Sequence, residues 1–197
     1  LHDTVNVRLS ESGISMTCST PALDCGASNL CIKAAKAFSS ACGGVGAEIT
    51  LTKVIPMQAG LGGGSADAAA VLRAMNFLCG CPFTVRELCR IGAKVGADVP
   101  FCVMGGTALA EGIGEKLTAL PAAPDCFLLV AKPDINVSTK YVYEHLDSEG
   151  IDKHPDIDGM VAAIEEGSLQ GVLDRMENVL ENVTVKAYPI IDTIKRR

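Results

Sequence analysis

Tryptophan is absent from this chain, and only 4% of its 197 residues are aromatic. A core without large rings has to be assembled from Ala, Val, Leu, Ile and Met, and the 48% hydrophobic content is ample for one globular core or two modest domains. Positive charge is also short. Lys and Arg number 17 against 23 Asp and Glu, giving a net charge of -6 and a sequence pI near 5.1. That balance excludes nucleic-acid binding by bulk electrostatics, while a local basic patch around a small anionic substrate stays open. No apolar run is long enough to span a bilayer and no signal-peptide pattern opens the chain, so a cytoplasmic protein with no membrane partner is expected.

Paired metal-binding motifs are missing as well. The nine cysteines are scattered, and Cys79-Gly80-Cys81 has no second pair or nearby His to complete a zinc site. They read as reduced thiols, several of them (Cys102, Cys126) inside apolar runs where Cys behaves as a small hydrophobe. No metal-binding side chain is assigned. His2, His145 and His154 stand apart and are assigned nothing. The chain begins at Leu1 and stops within what reads as a helix, so a piece of a longer protein is expected.

What is abundant is glycine in one place. Residues 60, 62, 63 and 64 are glycine, broken only by Leu61, and an alanine-rich helix pattern follows at once through Ala66, Ala68, Ala69, Ala70, Leu72 and Leu78. A β-like run, Glu48 to Lys53, leads in through Pro56. Glycine lets main-chain N–H groups face a ligand closely, and a helix start offers unpaired donors at the positive end of its dipole. The stretch therefore reads as a phosphate cradle with Leu61 as an apolar anchor. It is neither a Walker loop nor a dinucleotide fingerprint, because no Lys-Ser or Lys-Thr pair follows and the spacing is wrong. A plain flexible loop with Ser65 capping the helix is the alternative.

Around it, Val5, Val7 and Leu9 alternate as a half-buried strand, and Ser12-Gly13 turns toward a second strand over 14–18, together expected as a hairpin. Ser28 and Asn29 are helix caps for Leu30 to about Ser40. The cradle helix extends to about Leu78, and Thr84 to Glu87 is a capping box for the next helix. Residues 107–110 and 116–117 read as strands about a Gly112 to Glu115 turn, and Phe127 to Ala131 as a buried strand. Ser138-Thr139 caps a helix through His145, and from Pro155 the pattern is mainly helical. Strands first and helices last give an α+β class without internal repeats.

Asp98 is the foremost catalytic candidate. It sits at a junction beside apolar Val99, Pro100 and Phe101, where partial burial would give the carboxylate useful base strength. A turn Asp bonding its own backbone is the alternative.

Pro56-x-x-x-Gly60-Leu61-Gly62-Gly63-Gly64-Ser65-x-Asp67-Ala68-Ala69 resembles the phosphate-binding motif of the GHMP kinases. The triple glycine, and Gly96-Ala97-Asp98-Val99-Pro100, take the form typical of the diphosphocytidyl-methylerythritol kinases in that superfamily. The resemblance covers the chain to about Asn182. It implies the GHMP kinase amino-terminal domain over 1–133 and the start of the carboxy-terminal GHMP domain over 134–197. It also implies ATP and Mg²⁺ as cofactors, and phosphorylation of the 2-hydroxyl of a cytidine diphosphate-linked methylerythritol. Asp98 would prepare that hydroxyl and contact the substrate. ATP would be bound by Asn29, Leu30, Lys53, Pro56, Met57, Ala59, Gly60, Leu61, Gly62, Gly63, Gly64, Ser65 and Ala66. Thr139 and Tyr143 would meet the cytosine, the ring of Tyr143 stacking on it. Lys53 could equally be a solvated strand-end lysine, Asn29 a simple cap and Tyr143 a surface residue. Ser65 could cap, touch phosphate or approach Mg²⁺. Asp67 would repel phosphate and is expected to face substrate or neighbouring backbone. The family's Pro-x-Lys-x-Asn-Leu strand and Gly-Ser-Gly motif have no counterpart in this sequence, and no residue takes the role of that lysine. Homoserine- or mevalonate-type kinases and a non-catalytic nucleotide-binding module are the rival readings.

Overall fold

Three short alternating segments build the first sheet, and a glycine decides how they are ordered. The computed structural model describes every residue except Asn136, Ser138, 150–153 and Arg197; for 139, 140 and 147–149 it describes the backbone alone. The chain divides into two units, residues 1–119 and 120–197.

In the first unit, β1 (Thr4–Ser10), β2 (Ile14–Cys18) and β3 (Gly46–Thr52) form one sheet in the order β1-β3-β2. β3 is antiparallel to β1 and parallel to β2. The expected β1–β2 hairpin is therefore not formed, because β3 lies between its arms. Gly46 makes this possible. It fits into the 10–13 turn, where an added Cβ would fall 2.5 Å from the Gly13 carbonyl oxygen and against Ser10 Oγ. The next N–H, of Ala47, donates to that same Gly13 carbonyl at 2.9 Å. Period-two alternation then aligns three rows, with Ala47, Ile49 and Leu51 between Leu9, Val7 and Val5 on one side and Ile14, Met16 and Cys18 on the other.

Helices α1 (Leu30–Ala41), α2 (Gly63–Leu78), α3 (Val85–Ala93) and α4 (Val99–Met104) supply the other side of the core. Buried alanines at 34, 35, 68 and 69 let α1 and α2 approach closely. Phe38, the largest fully buried side chain, meets Phe83 edge-on with centroids 5.4 Å apart. Asn76 holds the α2–α3 connection by bonding both main-chain groups of Phe83 at 3.0 Å. Thr84 and Glu87 form the expected capping box. Residues 99–104 are a helix with Pro100 in its first turn, where a missing N–H costs nothing. β4 (Thr107–Glu111) and β5 (Lys116–Leu120) pair around the 112–115 turn.

The second unit contains α5 (Thr139–Glu149), α6 (Ile157–Glu165), α7 (Leu169–Leu173), α8 (Glu181–Ala187) and α9 (Ile190–Lys195). Val142, Leu146 and Val183 form its small core between α5 and α8. Phe127 to Ala131 is not the buried strand its composition suggested. The segment has no regular structure, and Phe127, Leu128 and Leu129 are exposed. An apolar run becomes a strand only where another strand claims its main-chain groups, and none does among the described residues. Cys126 is exposed with it, so it is not a core thiol, whereas Cys31 is buried. Among the described residues, no helix is long and apolar enough to cross a membrane.

Candidate phosphate-binding loop and active site

The central strand delivers the chain to the glycine loop, which returns as the longest helix of the first unit. Gly62 has φ 64° and ψ 12°, the left-handed conformation that glycine adopts without penalty. Its carbonyl accepts the first intrahelical bond, from the Ala66 N–H at 2.9 Å, and no side chain caps the helix. The N–H groups of Gly63, Gly64 and Ser65 precede that bond and lie at the positive end of a 16-residue helix. Ser65 is thus not the cap. The turn at Gly62 starts the helix before the alanine run begins, and Ser65 falls inside the first turn. Leu61 is not an apolar anchor either, since it and Met57 are 38% and 36% exposed. Pro56 and Gly60 are also exposed and Ala59 is half-buried.

Lys53 is no solvated strand-end lysine. Its side chain is 6% exposed, paired with Asp3 Oδ2, and 3.0 Å from Asp67 Oδ2. Asp3 also accepts the N–H groups of Val54 at 2.5 Å and Ile55 at 2.8 Å. Asp67 therefore turns inward to an ammonium, and not to substrate or to backbone. Burial pushes the Asp67 carboxyl up to about 6, with Lys53 opposing and the Asp3 charge adding. Burial also works against the charges of Asp3 and Lys53, but their hydrogen bonds prevail, lowering the Asp3 pKa and raising that of Lys53. Sequence reasoning missed Asp3, which lies fifty residues from its partner and precedes an ordinary strand.

Asn29 and Leu30 stand beside the loop. Asn29 caps α1, accepting the Cys31 N–H at 2.9 Å and donating to the Asp24 carbonyl at 2.7 Å. A Cβ on Gly64 would lie 3.4 Å from Leu30 Cδ1, so the starts of α1 and α2 are neighbours.

Asp98 is exposed, contrary to the expected partial burial, because α4 buries Val99 and Pro100 and turns the residue before them outward. Its carboxylate does not cap α4, so the self-bonded turn reading does not hold. Val99 and Leu72 both face Gly92, and further along Val103 and Met104 share a cavity of about 210 Å³ with Asn76 and Phe77. α4 therefore runs beside α2 in the same sense, with Asp98 at its amino-terminal end. In the second unit, Tyr143 is 52% exposed on α5, at the margin of the stripe that buries Val142 and Leu146. The Thr139 side chain lies outside the described residues.

The family model "GHMP kinases N terminal domain" matches residues 29–106, from the α1 cap through α4. A 4-diphosphocytidyl-2-C-methyl-D-erythritol kinase of Caldicellulosiruptor saccharolyticus is 45% identical over 197 residues, covering 99% of this chain and 68% of that protein. The chain belongs to the 4-diphosphocytidyl-2-C-methyl-D-erythritol kinase family. A second such kinase, from Lachnospira eligens, is 55% identical over 151 residues, covering 77% of this chain and about half (52%) of its own length. A crystal structure of a 4-(cytidine 5'-diphospho)-2C-methyl-D-erythritol kinase superposes with a TM-score of 0.72 at 31% identity, covering 98% of this chain and 67% of that one. Membership in this family of GHMP kinases carries the expected α+β fold of the amino-terminal domain.

Proposed function

We propose that the protein, in the cytoplasm, transfers the γ-phosphoryl group of ATP to the 2-hydroxyl of 4-diphosphocytidyl-2-C-methyl-D-erythritol, a step in non-mevalonate isoprenoid synthesis. The observation that carries this reading is the uncapped start of α2, whose N–H groups at Gly63, Gly64 and Ser65 suit phosphate oxygens. Asn29 and Leu30, next to Gly64, border the adenine, and the stretch from Pro56 to Ala66 wraps the phosphates. Mg²⁺ neutralises phosphate charge when bound. Ser65 offers it a hydroxyl, and among the described residues no group of three His, Cys, Asp or Glu is disposed to hold a metal independently of the nucleotide.

Asp98 accepts the hydroxyl proton as the alcohol oxygen bonds to γ-phosphorus, and the bond to the bridging oxygen breaks to release ADP. A carboxylate open to solvent serves here, because a loose phosphoryl-transfer transition state asks the base chiefly to orient the alcohol. Tyr143 and Thr139 receive the cytosine, for which the exposed ring of Tyr143 offers a stacking face.

In the full-length protein, Asp98→Asn lowers turnover of the cytidyl substrate by about 10²–10⁴-fold while ATP binding persists. Unchanged turnover removes Asp98 from the mechanism. Turnover of homoserine or mevalonate, with none of the cytidyl substrate, overturns the assignment.

A further inference from the structure

Three ionic side chains from separate parts of the chain meet at the base of the glycine loop. Asp3 precedes β1, Lys53 follows β3 and Asp67 lies in the second turn of α2. Their side chains are 3%, 6% and 5% exposed, and charges so buried persist only when paired. Lys53 and Asp67 flank the loop, so their contact joins its two ends. Asp3 fixes its first residues through the Val54 and Ile55 N–H groups. A Cβ on Gly63 would lie 2.9 Å from Lys53 Nζ and 3.0 Å from Ile55 Cγ2, so the ammonium rests against the first residue of α2.

We propose that Asp3, Lys53 and Asp67 form an ionic clamp that sets residues 54–62 against the start of α2. In this arrangement Lys53 is a positioning residue, acting on the nucleotide through the loop backbone without touching its phosphates. The inference rests on the phosphoryl-transfer reading above. Two carboxylates already engage Lys53. With one ammonium between two acids, the cluster carries no surplus of positive charge to offer a phosphate. Attraction for the nucleotide then comes from main-chain N–H groups, and the clamp supplies preorganisation. A loop held in place before the ligand arrives loses less freedom on binding.

The test uses the full-length protein, with calorimetric titration of a non-hydrolysable ATP analogue and KM for ATP and for the acceptor alcohol. The variants are Lys53→Met, Asp67→Ala, their double and Gly63→Ala. The clamp requires each single change to weaken ATP by about tenfold, with the double no weaker than either, because both remove one shared contact. The loss falls on KM for ATP and leaves KM for the alcohol unmoved. Gly63→Ala keeps all three charges but displaces the ammonium, so it shows the same loss and keeps the proposal testable if Lys53→Met does not fold. Loss in Lys53→Met with none in Asp67→Ala overturns the clamp in favour of direct phosphate contact. So do additive losses in the double, or unchanged ATP binding by Gly63→Ala. Failure of the unsubstituted protein to bind the analogue overturns the phosphoryl-transfer reading itself.

Discussion

Replacing Asp67 with Asn removes one titration while keeping the shape and an acceptor for Lys53. Burial pushes the Asp67 carboxyl up to about 6 in the folded chain, whereas an unfolded Asp titrates near ~3.9. Between those values the folded state holds a proton that the unfolded state has released. Stability therefore falls as pH rises from about 4 to about 6, and stays lower above that window. A difference of about 2 pH units at about 1.4 kcal/mol each sets the scale at about 3 kcal/mol. Its two partners act in other windows. Asp3, with its pKa lowered, contributes stability that is lost only as pH falls below about 4. Lys53, with its pKa raised, contributes stability that is lost only as pH climbs past about 10. Urea unfolding of both proteins from pH 4 to 8 isolates Asp67. The expected outcome is near equality at pH 4, with Asp67→Asn more stable by up to about 3 kcal/mol at pH 7. Parallel curves across that range refute the reasoning.

Phe38→Ala removes a fully buried ring and its edge-on contact with Phe83, and is expected to cost about 3–5 kcal/mol in chemical denaturation. Gly62→Val places a β-branched residue at φ 64°, which destabilises the start of α2 by about 1–2 kcal/mol or more and weakens ATP binding, read by melting temperature and titration. In native-state maleimide labelling at pH 8 followed by mass spectrometry, exposed Cys81 and Cys126 react first. Cys31 stays protected, because burial, aided by the nearby Asp67 charge, pushes its thiol up to about 12. Equal labelling of all three contradicts that placement.

The sequence was legible where local chemistry decides structure. Alternation at Val5, Val7 and Leu9, the Asn29 cap and the Thr84–Glu87 box each act within a few residues, and each stands where expected. The glycine loop was legible as a helix start, but Ser65 was a plausible cap only so long as the left-handed turn at Gly62 was unknown. Strand order was not legible, because Gly46 works by fitting a turn more than thirty residues earlier. The clamp was hidden for the same reason. Nothing near Asp3 signals that Lys53 will end beside it, and an acid after the glycines reads first as a repellent to phosphate. The 127–130 run misled because composition specifies the wish to be covered, not the cover.

The placement of β3 between two earlier strands also governs how the first unit assembles. β1 and β2 precede β3 in the chain yet do not bond to each other, so neither ladder closes until residues 46–52 arrive between them. Nucleation thus spans some forty residues, a high contact order that slows folding relative to a simple meander. Until the centre strand docks, β1 and β2 each present to solvent the edge that β3 will cover, an interval in which a chaperone's shelter guards against mispairing.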